Sequence, residues 1–296
     1  MSDCASYRSI FLEPDWAHQK YFGWRTRDCA PGLRILSKTV RGAERLLALV
    51  EPGQSVASLA AGIPARLTTA EITVHAFEAG EAASFSVNGR AFAPLANEER
   101  LLNIATYVID LSQDEEALMG AMSSDYRRKI RKATGAGVSV VAVERPDTEL
   151  VQEFSAAFGR LAQDRGLAAF DPGAYSRMYA AGDAILYVLR QDGENAGYLH
   201  VYKAGPSAIF MTGVTPAKAH DGAGQFLHWE IIRDLKRRGL RWYDLGGVRS
   251  FDDADGISRF KKGFGGGAIN LGAEWRWRAA WLKGALAARR AMSGAR

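Results

Sequence analysis

The sequence predicts an α+β protein whose helices flank mixed central sheets. Three observations predict it. Hydrophobic residues make up 47% of the 296-residue chain, enough to build a proper core and too many for a disordered one. Residues 113–245 read as two helices, a strand, two helices, a three-strand meander, a helix and a strand. The first 110 residues mix strand-like runs with turn signals, the clearest being Asn88-Gly89.

The elements follow in order. Residues 33–40 (LRILSKTV) and 68–77 (TTAEITVHAF) carry the β-branched content of strands. FSVNGRAFAPL (85–95) reads as a hairpin turned at Asn88-Gly89, and LLNIATYVIDL (101–111) as another strand. Ser112, with Glu115 three residues on, has the spacing of a capping box and marks a soft domain boundary. Helices are predicted at 113–122 and 124–134, a strand at 138–143, and helices at 148–165 and 172–181. Strands at 184–191 and 196–203 flank the turn DGEN, and SAIFMTGV (207–214) completes a meander. The helix at 224–239 has its apolar stripe on Phe226, Leu227, Trp229 to Ile232 and Leu235, and Gly239 stops it. LRWYDL (240–245) is the next strand.

Composition narrows the function classes. No apolar run approaches the ~20 residues of a membrane span. The N-terminus lacks a basic-then-apolar leader, so a cytoplasmic protein is expected. Two cysteines, Cys4 and Cys29, supply neither a disulfide framework nor a metal site. There is no internal repeat and no low-complexity linker. The net charge of +5 is local: Arg276, Arg278, Lys283, Arg289, Arg290 and Arg296 crowd the last 22 residues without an acid, leaving the remainder at −1. Such a tail suits a polyanion such as RNA, or serves solubility; no DNA partner is expected.

Three stretches can carry chemistry. In SSDYRRKIRKATGAGVSV (123–140), Tyr126, Ile130 and Ala133 form a buried stripe. Arg127, Arg128, Lys129, Arg131 and Lys132 then face phosphates or carboxylates, or simply solvent. In KAHDGAGQFLHWE (218–230), Gly222 and Gly224 precede a helix whose free N–H groups could hold an anion, or form an ordinary helix entry. In YDLGGVRSFDDADGISRFKKGFGG (243–266), Tyr243 and Asp244 end a strand, and Gly246 and Gly247 let backbone approach a substrate. A polar, acid-rich loop follows (249–256). Arg259, Lys261 and Lys262 then return beside Phe260 and Phe264, where a cation held among rings can stabilise developing negative charge.

The run from Tyr243 to Val248, with Gly256-Ile257-Ser258-Arg259-Phe260-Lys261-Lys262-Gly263-Phe264-Gly265, resembles the signature of the FemABX family. These are aminoacyl-tRNA-dependent transferases built from GNAT-like domains. The basic helix from Tyr126 to Ala133, with Gly137-Val138, resembles that family too, as does Leu227-His228-Trp229-Glu230 followed by Gly239. The match spans roughly 112–274 and is poor over 1–110. The resemblance implies two GNAT-like domains: 1–112 with the segment 275–296 returning to it, and 113–274. It implies transfer of an amino acid from its tRNA ester to the amine of a peptide or small molecule, in cell-wall precursors or natural products. It implies no cofactor beyond aminoacyl-tRNA as co-substrate. The helical arm of some members is absent. The Gly222-Ala223-Gly224 turn looks like an acetyltransferase pyrophosphate loop, although Ala219 stands where Arg or Gln is usual and Lys218 is one place off.

On this resemblance Lys261 faces the reacting carbonyl with Phe260 beside it. Asp244 is a candidate base for the amine or a cap at the strand end. Arg127, Arg128 and Arg131 would hold an anionic acceptor, with Tyr243, Gly246, Gly247 and Arg259 contributing to substrate binding. Tyr126 packs. The tRNA would lie on Lys262 and on a tail helix that aligns Arg276, Lys283 and Arg290, with Trp277, Trp281, Ala285 and Ala288 buried opposite. Two alternatives stand beside this: a GNAT-fold acyl-CoA-dependent N-acyltransferase, and a non-catalytic RNA-binding module.

Overall fold

The computed structural model describes residues 6–14, 16–77, 80, 83–96, 99–165, 170–215 and 220–282. Along the chain run α1 (Ala17–Tyr21), β1 (Arg25–Ala30), β2 (Leu33–Val40), β3 (Ala43–Val50), α2 (Val56–Ala61), β4 (Thr69–Ala76), β5 (Phe85–Val87) and β6 (Arg90–Pro94). Then come β7 (Ala105–Asp110), α3 (Glu115–Ala121), α4 (Ser124–Thr134), β8 (Ser139–Val143), α5 (Thr148–Arg165) and α6 (Pro172–Ala181). The last stretch holds β9 (Ala184–Gln191), β10 (Glu194–Ala204), β11 (Ser207–Val214), α7 (Ala223–Arg237), β12 (Trp242–Gly247), α8 (Gly256–Lys262), β13 (Gly267–Asn270) and β14 (Ala273–Arg278).

Two compact units divide the chain, and neither is continuous. One joins Met1–Ala17 to Thr106–Ile269, the other His18–Ala105 to Asn270–Arg296. The division thus falls between Ala105 and Thr106, at the first residue of β7, where the sequence placed it after residue 112. Ser112 does not cap α3. Its hydroxyl donates to Asp110 Oδ1 (2.7 Å), while Asp114 takes the N-cap and accepts from Ala117 N.

In the second unit the sheet order among the described residues is β1-β2-β3-β4-β14-β6-β5. Strands β1 to β3 form an antiparallel meander, and α2 carries the chain across to β4, parallel to β3. The AERLLALV run of β3 is buried from Leu46 to Val50, as a central strand covered on both faces must be. The hairpin at Asn88-Gly89 forms as predicted, both residues with positive φ (49° and 69°). Residues 273–278 form β14 between β4 and β6 and helical residues begin only at Ala280, so Arg276 lies on a strand and not on the expected helix: two-residue alternation of Trp275 and Trp277 fits a strand equally well.

In the first unit the order is β13-β7-β12-β11-β10-β9-β8. Again an antiparallel meander (β9, β10, β11) leads through a helix, α7, to a parallel strand, β12, with β7 antiparallel on its far side. The Tyr126, Ile130 and Ala133 stripe buries α4, and α7 buries the stripe that begins at Phe226.

Candidate active site

Strands β11 and β12 pair only from Ser207–Trp242 to Ile209–Asp244. Beyond that point β11 stays with β10, bulging at Met211, while β12 stays with β7. A parallel pair that parts in mid-sheet leaves unpaired backbone and a gap, a natural place for a ligand. Gly246 lines this gap with φ +77°, and a Cβ there would lie 2.5 Å from Phe210 O. Only glycine meets both demands.

Lys261 reaches the gap from α8. Its Nζ donates to Gly247 O (2.8 Å) and sits 5.5 Å from the centre of the Phe210 ring. The residue is 7% exposed. Burial pushes its pKa down from 10.5 to about 8, against the opposing pull of Asp244 and Asp255. It remains mostly an ammonium ion at neutral pH. The ring over the ammonium is that of Phe210, not of Phe260. Phe260 instead packs against His228, Phe264 and Tyr126, and its carbonyl accepts from the Tyr126 hydroxyl (2.9 Å).

Asp244 is buried beneath the gap. Oδ1 accepts from Thr106 Oγ1 (2.5 Å) and Gly246 N (2.8 Å), and Oδ2 from the Tyr7 hydroxyl (2.7 Å). Burial raises its pKa, while these donors and the charge on Lys261 oppose the rise. With three donors gathered on it, the carboxylate is the anchor of an internal network. Tyr243 is fully buried and contributes its hydroxyl to His228 Nδ1 (3.0 Å) rather than to an open cleft. Burial, helped by the Lys261 charge, pushes His228 down to about 3, so its ring is neutral.

Two hollows meet at Phe260. A cleft of about 670 Å³ is lined by Ser123, Asp125, Tyr126 and Lys129 of α4 and its entry, Gln225 of α7, and Asp253, Arg259 and Lys262 around α8. A hollow of about 100 Å³ lies between β10, β11 and α7, walled by Tyr198, Phe210, Gly213, Thr215 and His228. The cations of the larger cleft are Lys129, Arg259 and Lys262. Lys129 pairs with Asp125 (3.0 Å) and Lys262 with Asp253 (2.8 Å), whereas Arg259 donates to the Asp253 carbonyl (3.3 Å).

The other predicted cations stand elsewhere. Arg127 donates to the carbonyls of Gly120 and Met122, closing the end of α3. Arg128 pairs with Asp125 in solvent, and Arg131 is exposed outside the cleft lining. Arg276 is a strand residue, 8% exposed at its side chain and paired with Glu71 and Glu99, which removes it from any phosphate-binding stripe. Trp281 is half exposed. Lys283, Ala285, Ala288 and Arg290 lie outside the described residues, as do Lys218 and Ala219. Gly222 has φ +91°, and a Cβ there would strike Lys129 O at 2.7 Å; close packing on α4 explains this glycine.

Sequence reasoning missed Tyr7, Thr106, Phe210 and His228 as parts of the site. Their partners lie 237, 138, 51 and 15 residues away, and no local pattern announces such contacts. Among the described residues no group of His, Cys, Asp or Glu could hold a metal ion, and no helix is long and apolar enough to cross a membrane.

Comparison with known proteins matches this architecture. Residues 121–262 match the family model described as an acetyltransferase (GNAT) domain. Sequence comparison finds no match among curated proteins. Among solved structures, FemX superposes with a TM-score of 0.65 at 14% identity, over 91% of this chain and 94% of that one. The C-terminal domain of a putative lysylphosphatidylglycerol synthetase from Agrobacterium fabrum gives 0.57 at 15% identity, over 94% and 91%. L-PGS from Bacillus licheniformis gives 0.51 at 13%, over 89% and 90%. The protein therefore has an α+β fold of two GNAT-like domains, the fold of acyltransferases, and its motif resemblance to FemABX transferases is matched by likeness in fold to FemX.

Proposed function

We propose that the protein is an aminoacyl-tRNA-dependent aminoacyltransferase that forms an amide between a tRNA-borne amino acid and the amine of a peptide or small-molecule acceptor. One observation carries this reading: a buried ammonium, Lys261, held where β11 and β12 part by Gly247 O and the Phe210 ring. The FemABX-like motifs and the likeness to FemX support it.

The ester of an aminoacyl-tRNA is already activated, so positioning and charge stabilisation suffice. The neutral acceptor amine attacks the ester carbonyl carbon. A C–N bond forms, the carbonyl oxygen becomes an oxyanion facing Lys261, and the C–O bond to ribose then breaks. The ribose oxygen leaves with a proton, and the amine loses one. No further cofactor enters. Asp244, saturated by donors, maintains the charge of the site and is not the base. The amine proton passes to a carboxylate or phosphate of the substrates themselves. Arg259 and Lys262, at the cleft, contact the tRNA or acceptor anions.

Incubation with a pool of labelled aminoacyl-tRNAs and candidate amines tests the reading: label should move to an amine. Lys261→Met should slow transfer by ~10²–10³. Wild-type turnover in that variant removes Lys261 from the chemistry. The GNAT-domain match also admits acyl-CoA-dependent N-acyl transfer. A thermal shift with acetyl-CoA, and none with aminoacyl-tRNA, would favour that reading.

A further inference from the structure

The segment that precedes α1 supplies a residue to the site. Tyr7 lies edge-on to Trp242 (5.8 Å between ring centres) and donates to Asp244 Oδ2. It packs against the buried Val108 and Trp242. Asp244 and Lys261 flank Gly246: its N–H is bonded to Asp244 Oδ1, and a Cβ on it would lie 3.4 Å from Lys261 Nζ. A lone ammonium in so buried a place is unstable without a counter-charge, and a lone carboxylate is equally so. Each therefore depends on the other and on the neutral donors that hold them.

We propose that Tyr7 is a positioning residue: its phenol, with the Thr106 hydroxyl, holds Asp244 as the anionic counter-charge that keeps Lys261 an ammonium ion in the gap between β11 and β12. The proposal rests on the reading that Lys261 acts as a cation. The groups facing the pair are few. Among the described residues the carboxylates whose charge acts on Lys261 are those of Asp244 and Asp255, and its own charge reaches the neutral His228. Asp244 meets Tyr7, Thr106, Lys261 and the buried Tyr243. Among the described residues Tyr7 is the side chain that donates to Asp244 Oδ2, so loss of its hydroxyl removes that donor. The carboxylate then takes up a proton more readily, and Lys261 loses its proton more readily.

The test titrates Lys261 directly, by NMR of the full-length protein with ¹³Cε-labelled lysine. Lys261→Met assigns the resonance. Tyr7→Phe should lower the Lys261 midpoint by ~0.5–1 pH unit, and Asp244→Asn by more. Thr106→Val should act like Tyr7→Phe, whereas Thr106→Ser, which retains the donor, should leave the midpoint in place. A midpoint unmoved in Tyr7→Phe while Asp244→Asn shifts it overturns the role of Tyr7. A midpoint unmoved in both overturns Asp244 as counter-charge. If Tyr7→Phe does not fold, 3-fluorotyrosine placed at position 7, which keeps the ring and is a stronger donor, takes its place and should raise the Lys261 midpoint; a midpoint unmoved there overturns the role of Tyr7. None of these readings needs a transfer assay. Failure of aminoacyl transfer would strike the proposed function and leave the titration standing.

Discussion

Gly246 combines a φ of +77° with a crowded position, where an added Cβ would lie 2.5 Å from Phe210 O and 3.4 Å from Lys261 Nζ. Gly246→Ala should therefore destabilise the protein by about 2–4 kcal/mol in urea unfolding, part from the left-handed backbone and part from overpacking. At Lys261 the relevant quantity is charge. With its pKa pushed down to about 8, the initial rate of transfer should fall as pH rises through 8, and a rate still flat at pH 9 would detach catalysis from this ammonium. The buried rings of His200 and His228 behave in the opposite sense. Burial pushes both down from 6.5 to about 3, so both are neutral in the fold and take up protons only on unfolding. Their contribution to stability is complete above pH 6.5 and is lost as pH falls from 6.5 towards 3, by about 1.4 kcal/mol per pH unit for each ring. Urea midpoints between pH 7 and 5.5 check this, and His200→Gln should roughly halve the slope. At this scale the sequence showed which residues carry charge. It did not show that Phe210, rather than the adjacent Phe260, covers Lys261, because neighbours along a helix point in different directions.

Among elements, the extent and buried stripe of α4 were legible, Tyr126, Ile130 and Ala133 being the residues it buries, while its cap, Ser123, is shown by the structure. Helical periodicity survives in an eleven-residue segment whose opposite face is charged. The seven-residue α8 was read only as a basic return from a loop, since two turns give too little periodicity to detect. Its start depends on Asp255, whose carboxylate accepts from Ile257 N (2.9 Å). Asp255→Ala should lower stability by about 1 kcal/mol in urea unfolding. Arg127 makes a similar point. It serves the last carbonyls of α3, so Arg127→Ala should lower the melting temperature while leaving the KM for an anionic acceptor near that of the wild type.

Over the whole molecule, one topology occurs twice: a three-strand meander, a crossover helix and a parallel strand, flanked by a strand brought from elsewhere in the chain. In one unit that strand is β7, in the other β14. The duplication left no repeat in the sequence, because topology constrains polarity patterns and not residue identity. It also makes the last described strand indispensable. Ending the chain after Ile269 removes β14 from between β4 and β6, and Glu274 from the Leu101 and Leu102 amides and His75. The His18–Ala105 portion should then lose protection in hydrogen exchange while β9 to β12 keep theirs; full protection throughout would contradict this account of the sheet.

By itself the sequence determined the α+β class, most helices and strands of residues 113–245, the stripe of α4 and the glycine-flanked lysine on which the functional reading rests. Those are local matters, set by periodicity, capping and backbone freedom over a few residues. Tertiary structure alone decided that residues 273–278 form a strand, that Arg127 and Arg276 are occupied by carbonyls and carboxylates, and that Tyr7 and Thr106 meet Asp244. Each of these depends on which distant segment arrives alongside, and pairing across a hundred or more residues is fixed by the closing of the sheet, not by any spacing along the chain.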